Sequence, residues 1–278
     1  EDRAAMYLVP LSILALTVLF AQNKISKYFL LVLLFFPVSF IAKINLNTSV
    51  FSPDDRMSTA FYYQATKDLK ADESVSIYPI QQLTYALFER NNKQRPVKHV
   101  GTLQKDFSAS SDLILTKSTW LFPKDDISAY RVVARDPASS YIALKRKTPF
   151  KHIPLFDSIG KTKQSDEEFI LFYDGPIRPE WRNKAIQIDL KGMLKTDKEL
   201  NDFNLVVATN DSSDVNLRYD YQNLRWYYGE NVQQFKLHVP YPAKHFLREE
   251  SRLIIYIWNP ERKHFKLTNP AIQIFELK

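Results

Sequence analysis

The sequence of 278 residues contains no cysteine and only five glycines. Without cysteine the chain has no disulfide bond, no thiolate nucleophile, no cysteine-ligated zinc site and no iron–sulfur cluster. The glycines lie far apart, so the sequence contains neither G-x-G-x-x-G nor the glycine pattern of a phosphate-binding loop. These absences exclude a Rossmann dinucleotide enzyme and a P-loop nucleotide hydrolase.

The chain also has only a small net excess of charge of one sign. The 38 lysines and arginines exceed the 31 aspartates and glutamates by seven, and this excess is spread along the chain. Proteins that bind nucleic acid concentrate their positive charge on one face or along one element. The sequence therefore predicts no nucleic-acid partner.

Two long apolar runs are present, at residues 4–23 and 25–42. Each is close to the ~20 residues that a helix needs to cross a bilayer, and we predict a transmembrane hairpin over residues 1–43. A signal peptide followed by a buried helix is disfavoured because no basic region precedes Met6. Lysine and arginine flank the runs on both sides and leave the orientation open. The predicted hairpin makes the lipid bilayer a partner of the chain.

Residues 44–148 are predicted to form a small α/β domain with a partly parallel sheet. Helical spacing of apolar residues occurs at 56–70 and 81–92, and short apolar runs typical of strands occur between and after them. Residues 130–134 and 141–144 predict a hairpin. The stretch from 149 to 166 has no sustained period and is interpreted as a linker.

Residues 167–278 are predicted to form an all-β sandwich that resembles a jelly roll. Alternation of apolar and polar residues is clear around Ile186, Ile188 and Leu190 and again around Leu237. The fold class expected from sequence is thus multidomain: a transmembrane helical hairpin, a small α/β domain and a β-sandwich. The seven predicted strands cover residues 169–173, 185–191, 203–208, 216–222, 234–240, 253–258 and 271–277.

Residues that could carry catalysis or hold a metal do not form recognisable constellations. The five histidines are scattered, so no metal site and no cofactor are predicted. Adjacent acidic residues such as Glu249 and Glu250 do not predict a catalytic pair, because neighbours in sequence do not face one another across a substrate. Most of these pairs are interpreted as helix caps or solvated turns. Asp54 and Asp55 are interpreted mainly as a helix cap, with a second hypothesis of an acidic pair at the membrane surface. Residues 210–216 are rich in oxygen ligands, but a plain turn between strands is favoured over a calcium loop.

Aromatic residues make up 14% of the chain, and several fall in the predicted sandwich. Flat aromatic rings stack on the C–H faces of sugars, so a row of them predicts glycan binding. Tyr219 and Tyr221 are interpreted as core residues, because they alternate with polar residues. The predicted glycan-binding residues are Trp226, Tyr227, Tyr228, Trp181 and Trp258. Packing in the core is the alternative for Trp226, Tyr227 and Tyr228, although three consecutive aromatic residues cannot all face inward.

Three stretches make the chain similar to the C-terminal end of a bacterial GT-C type membrane glycosyltransferase, of the aminoarabinose and protein-mannosyl transferase kind. The first is the Arg-x-x-x-Tyr-Leu-x-Pro sequence at residues 3–10. The second comprises short stretches that resemble the small α/β domain after the last membrane helix of such enzymes, and the third resembles their appended jelly-roll modules. The stretches concerned are residues 63–65, 75–79, 86–90 and 113–116 for the α/β domain, and 255–259 and 272–274 for the jelly roll.

The resemblance implies a polyprenyl-phosphate-linked sugar donor, a glycan acceptor, and a location in the bacterial inner membrane with the soluble domains on the exoplasmic, periplasmic side. It also implies that the catalytic acid lies in an early exoplasmic loop, so no catalytic residue of this chain can be named and the part represented here is expected to be non-catalytic by itself. Because the sequence opens at Glu1 directly before an apolar run, we expect it to be the C-terminal part of a longer enzyme. The alternatives are a membrane-anchored periplasmic glycan-binding protein and an interaction or assembly subunit.

Overall fold

The computed structural model describes residues 57–93, 97–102, 111–120, 127–197, 203–243 and 246–278. Residues 57–278 belong to one compact unit that contains three β-sheets within its described part. One sheet has both parallel and antiparallel strands and shares a hydrophobic core with two helices. The other two sheets face each other and form a sandwich.

The mixed sheet has the strand order β2-β1-β3-β5-β4. Strands β2 and β3 run parallel to β1, whereas β5 and β4 form an antiparallel hairpin at the end of the sheet. Helix α1 begins where the Ser58 hydroxyl accepts a hydrogen bond from the backbone N–H of Phe61 at 3.2 Å, which satisfies one of the free N–H groups of its first turn. The elements are α1 (Thr59–Thr66), β1 (Val75–Ile77), α2 (Gln82–Asn91), β2 (Gly101–Thr102), β3 (Leu113–Lys117), β4 (Tyr130–Arg135) and β5 (Tyr141–Arg146).

The two sandwich sheets have the orders β12-β9-β14-β6 and β11-β10-β13-β8, and all their pairings are antiparallel. In this order each sheet alternates strands from the two halves of the segment, which is the arrangement of a jelly roll. The predicted jelly-roll-like β-sandwich is confirmed. Its elements are β6 (His152–Ile159), β7 (Lys163–Ser165), β8 (Phe169–Pro176), β9 (Ile186–Thr196), β10 (Asn204–Asn210), β11 (Asn216–Asn223), α3 (Leu224–Tyr228), β12 (Gln234–Ala243), β13 (Arg252–Trp258) and β14 (Phe265–Leu277).

The jelly-roll core forms from the alternate residues of its strands. Ile186, Ile188 and Leu190 of β9 are fully buried, as are Leu237 and Val239 of β12. Their polar neighbours in sequence point the other way because successive side chains of a strand leave opposite faces of the sheet. The alternation read from the sequence therefore located these two strands and their buried faces.

The stretch interpreted as a linker contains two strands. Residues 152–159 form β6 and residues 163–165 form β7, and both pair with β14. Strand β6 is at the sheet edge, most of its side chains are exposed and it contains Pro154, which an edge strand tolerates. Its hydrophobic pattern is weak for that reason. The division at residues 148 and 167 stays a prediction.

The predicted fold class, which began with a transmembrane helical hairpin, is corrected to a mainly β fold. In the described part of the chain the α-helices have eight, ten and five residues, and none is long and apolar enough to cross a bilayer. A spanning helix needs ~20 apolar residues. Residues 1–43, on which the hairpin was predicted, lie outside the described residues. The predicted location in the bacterial inner membrane depends on this hairpin together with the family resemblance, and it is corrected with the hairpin.

Candidate functional site

The sequence-predicted aromatic residues of α3 lie where the jelly roll meets the mixed sheet. Tyr227 is 1% exposed and belongs to the core of the mixed sheet, and the half-buried Trp226 and Tyr228 pack against the same core. Helix α3 holds them there: the Asn223 side chain caps its start and Gly229, with φ of 87°, ends it. These rings join two parts of the fold and do not form an open face.

Trp181 and Trp258 lie in two other places. Trp181 is completely buried in the jelly-roll core, where its ring contacts those of Phe156, Tyr173 and Phe246. Trp258 is half-buried on β13, and its indole N–H donates to Glu168 at 3.1 Å. The structure therefore does not bring the five predicted residues together. Asp54 and Asp55 lie outside the described residues.

His99 lies at the junction beside α3, and no pattern in the sequence indicates this position. Its ring stacks on Tyr227 with centroids 4.1 Å apart, and its nitrogens lie 3.1 Å from Gln222 Oε1 and 3.1 Å from the Tyr228 hydroxyl. Complete burial lowers the pKa of His99 to about 4, because the charged imidazolium would lose its hydration. His99 is therefore neutral at pH 7, which suits a structural contact.

A second group of aromatic residues lies on the outer face of the sheet formed by β11, β10, β13 and β8. Tyr219 and Tyr221, interpreted from sequence as core residues, are 51% and 50% exposed. The polar residues that alternate with them, Arg218 and Asp220, point inward instead. Asp220 receives a hydrogen bond from the Tyr241 hydroxyl, and Arg218 pairs with buried Glu250 at 2.6 Å. Alternation thus gave the strand correctly but assigned its two faces the wrong way round.

The outer face follows directly from strand register. Tyr221 of β11, Val206 of β10, Tyr256 of β13 and Leu171 of β8 stand opposite one another in one row across the sheet. Residues next to these in sequence, such as Leu205, Ile255 and Ile170, belong to the buried core, so the row points outward. We call the outward aromatic residues of this sheet the outer aromatic face. They are Phe169, Tyr219, Tyr221, Tyr256 and Trp258.

The rings of this face contact one another. Phe169 and Tyr256 meet edge to face with centroids 5.4 Å apart, and the centroids of Tyr219 and Tyr221 are 6.3 Å apart. Burial raises the pKa of Tyr256, and the neighbouring Tyr219 side chain raises it further. At a strand spacing of ~4.8 Å, the four strands make the face roughly 14 Å wide.

Polar groups border the outer aromatic face at both ends. At one end Arg252 pairs with Asp174 and Asp214, and a shallow depression is lined by these strand ends. At the other end Glu168 accepts from Trp258 and lies 3.5 Å from the guanidinium of Arg262. The arrangement is an apolar strip on the outer surface of the sheet, with hydrogen-bonding groups at its two ends.

The oxygen-rich stretch from 210 to 216 is a turn between β10 and β11, as predicted. The carboxylate of Asp211 accepts the backbone N–H groups of Ser213 at 2.8 Å and Val215 at 2.9 Å. This is the local bonding of an Asx turn. In the ranges that the structure describes, no group of three or more acidic or histidine side chains could hold a metal ion.

Comparison with known proteins finds no family model and no characterised relative that match the sequence. Among solved structures, the VP2 subviral particle of infectious bursal disease virus is 9% identical with a TM-score of 0.26, covering 53% of this chain and 37% of that one. The family 11 carbohydrate-binding module of a cellulosomal cellulase of Clostridium thermocellum is 10% identical with a TM-score of 0.22, covering 45% of this chain and 87% of the module. The structure of accessory secretory proteins 1, 2 and 3 of Streptococcus pneumoniae is 11% identical with a TM-score of 0.21, covering 56% of this chain and 91% of that one. At these scores the likenesses support no inference about what this chain binds.

Proposed function

We propose that this protein binds a glycan on the outer aromatic face of its jelly roll. The observation that carries the proposal is the exposure of Tyr219 and Tyr221 on β11, where Tyr221 lies in register with Tyr256 across the outer surface of the sheet. Rings that are half exposed present a planar surface to which the C–H groups of a sugar can pack. The same side chains would be unfavourable in water without a partner, since a contiguous exposed apolar patch marks an interaction site.

The polar border supplies the second requirement of a sugar site. A ligand site combines apolar surface with a few polar groups that fix the orientation of the ligand. Here the carboxylates of Asp174 and Glu168 and the guanidinium of Arg252 flank the rings at the two ends of the strip. Sugar hydroxyls both donate and accept hydrogen bonds, and such a border offers partners of both kinds.

The shape of the face favours an extended chain over an enclosed small molecule. The strip crosses four strands, with half-exposed rings on β11 and β8 and the buried Val206 of β10 between them, and a shallow depression lies at the Asp174 end. The resemblance to lipid-linked-sugar transferases is consistent with a glycan acceptor as partner. It stays a prediction that the chain is part of such a transferase and that the transferase uses a polyprenyl-phosphate-linked sugar donor.

Replacement of Tyr256 with Ala tests the proposal. We expect the full chain to be retarded in native gels that contain at least one of hydroxyethyl cellulose, dextran, laminarin, mannan or xylan. Loss of the ring at the centre of the face should weaken that binding about tenfold, which corresponds to ~1.4 kcal/mol.

Tyr63→Ala is the matched control, because Tyr63 is 39% exposed but lies on α1, away from the jelly roll. It should bind like the parent protein. The proposal is wrong if no polymer retards the parent protein, or if Tyr256→Ala binds as well as Tyr63→Ala while keeping its melting temperature. If the outer aromatic face binds another protein and no glycan, and Tyr256→Ala weakens that binding, the face is a protein-docking surface instead.

A further inference from the structure

Arg252 is held rigidly at the end of the outer aromatic face. Its Nε and one Nη donate to the two carboxylate oxygens of Asp174 at 2.7 and 2.9 Å, and its other Nη donates to Asp214 at 2.8 Å. The bidentate pair fixes the plane of the guanidinium, because two parallel hydrogen bonds allow one relative orientation. Side chains of all three residues remain accessible to solvent.

This ion-pair cluster, defined as Arg252, Asp174 and Asp214, keeps hydrogen-bonding capacity for a ligand. A guanidinium has five N–H donors. Among the described residues, three of them are used by the two carboxylates, which leaves two Nη hydrogens for a ligand. Each Asp174 oxygen also accepts one bond from Arg252 and has a second lone pair. Donors and acceptors thus stand side by side, as adjacent sugar hydroxyls require.

The cluster lies where a sugar stacked on the face would present its edge. Asp174 stands opposite Ile254 in the β8–β13 register, and Ile254 is two residues from Tyr256 on the same side of the sheet. The depression beside it is lined by Asp174, Gly175, Pro176, Ser251 and Arg252. A ring packed near Tyr256 can therefore reach the cluster with its hydroxyls.

The charge of the cluster is opposite to that of the chain. One guanidinium and two carboxylates give the cluster a formal charge of −1, and the pair of Glu168 with Arg262 at the other end is neutral. The whole chain carries +7. Long-range attraction would favour an anionic polymer, and Lys163, which donates to the Leu171 carbonyl at 3.3 Å, adds a positive charge beside the face. At the end where the cluster lies, by contrast, its own negative charge repels an anionic group.

We propose that the ion-pair cluster selects an uncharged glycan with adjacent free hydroxyls and rejects glycans that carry carboxylate or sulfate groups. This inference rests on the proposed function, since it assigns a ligand class to the same face. It makes Arg252 and Asp174 the groups that bind hydroxyls, and Asp214 the group that completes the negative charge.

Polymers that share a backbone but differ in charge test the inference. The full chain is run in native gels with hydroxyethyl cellulose against carboxymethyl cellulose, and with dextran against dextran sulfate, in about 0.15 M salt so that long-range attraction is screened. We expect stronger binding to the neutral member of a pair. Arg252→Gln should weaken binding to that member about tenfold, because hydrogen bonds from a charged group are lost. Asp214→Asn should reduce the preference for it.

Arg225→Gln is the matched control, since Arg225 forms an exposed ion pair with Glu230 away from the outer aromatic face. The inference is overturned, with the proposed function intact, if Tyr256→Ala loses binding while Arg252→Gln binds as the control does. Stronger binding to the anionic polymers by the parent protein would also overturn it. Absence of binding to every polymer by the parent protein would overturn the proposed function itself.

Discussion

At the scale of single residues, burial of His99 links stability to pH. The folded-state pKa is about 4 against 6.5 for an unperturbed histidine, so the unfolded chain binds more protons between these values. The contribution of neutral His99 to the free energy of unfolding is therefore complete above pH 6.5 and is lost as the pH falls toward 4. The shift corresponds to a loss of up to about 3 kcal/mol over that interval.

We predict that the free energy of unfolding in urea falls less steeply between pH 7 and pH 4.5 in His99→Gln than in the parent protein. Glutamine keeps polar groups near Gln222 and Tyr228 but has no proton to gain in this interval. His264→Gln, at an exposed position, should retain the parent slope. Equal slopes in His99→Gln and the parent protein would show that His99 does not control this dependence.

Glu250 shows why adjacent acidic residues could not be interpreted from sequence. Glu249 is exposed, whereas Glu250 is completely buried, pairs with Arg218 at 2.6 Å and accepts from the hydroxyl of Thr209 at 2.8 Å. The expectation of a solvated turn is therefore wrong for Glu250. Its partners come from β10 and β11, some 30 to 40 residues earlier in the chain, and such distant partners leave no local pattern.

We predict that Glu250→Ala lowers the free energy of unfolding by about 3 kcal/mol, because it leaves the largely buried Arg218 without its counter-charge. Glu249→Ala, next to it in sequence, should change the value by less than about 0.5 kcal/mol. Urea unfolding of both variants measures the difference. Similar small effects in the two variants would mean that water replaces the carboxylate around Arg218.

At the scale of elements, the sequence predicted strands well where one face of the strand is buried. Strands β9 and β12 were located because their apolar residues alternate and enter the core. Strand β6 was missed because an edge strand buries little, and β11 was assigned the wrong face because its inward residues are polar and paired. Alternation of apolar and polar residues indicates a strand, but the residues that pack against the strand in the folded protein determine which of its faces is buried.

The candidate site shows the same division at the level of the sheet. Aromatic content predicted a glycan-binding surface in the sandwich, and of the five residues chosen only Trp258 lies on the outer aromatic face. The others are clustered in sequence or buried, like Tyr227 and Trp181. Residues of the face come from β8, β11 and β13, and only the strand order brings them together.

At the scale of the whole molecule, the mixed sheet and the jelly roll meet in a close contact at Gly101. A Cβ atom at this position would lie 2.6 Å from Cγ and 2.8 Å from Cδ of Pro242 on β12. Distances this short require a shift of the backbone or of the proline ring. Only glycine allows β2 to approach β12 so closely.

We predict that Gly101→Ala lowers the free energy of unfolding by about 1 to 3 kcal/mol, as overpacking of a tight contact does. Pro242→Ala in the same chain should restore part of the loss, because it removes the ring that the new methyl group meets. Thermal and urea unfolding of the two single variants and the double variant measure the coupling. Simple additivity of the two losses would show that the two residues do not collide.

The pairing of β6 with β14 has a consequence for synthesis of the chain. These strands are the first and last of the jelly roll, and Ile159 of one stands opposite Ala271 of the other. A ribosome must therefore release more than a hundred residues of the sandwich before its edge can close, whereas the hairpin of β4 and β5 needs only a short loop. During translation the apolar faces of β8 to β13 remain without β14, and the jelly roll completes its folding only after β14 has emerged from the ribosome.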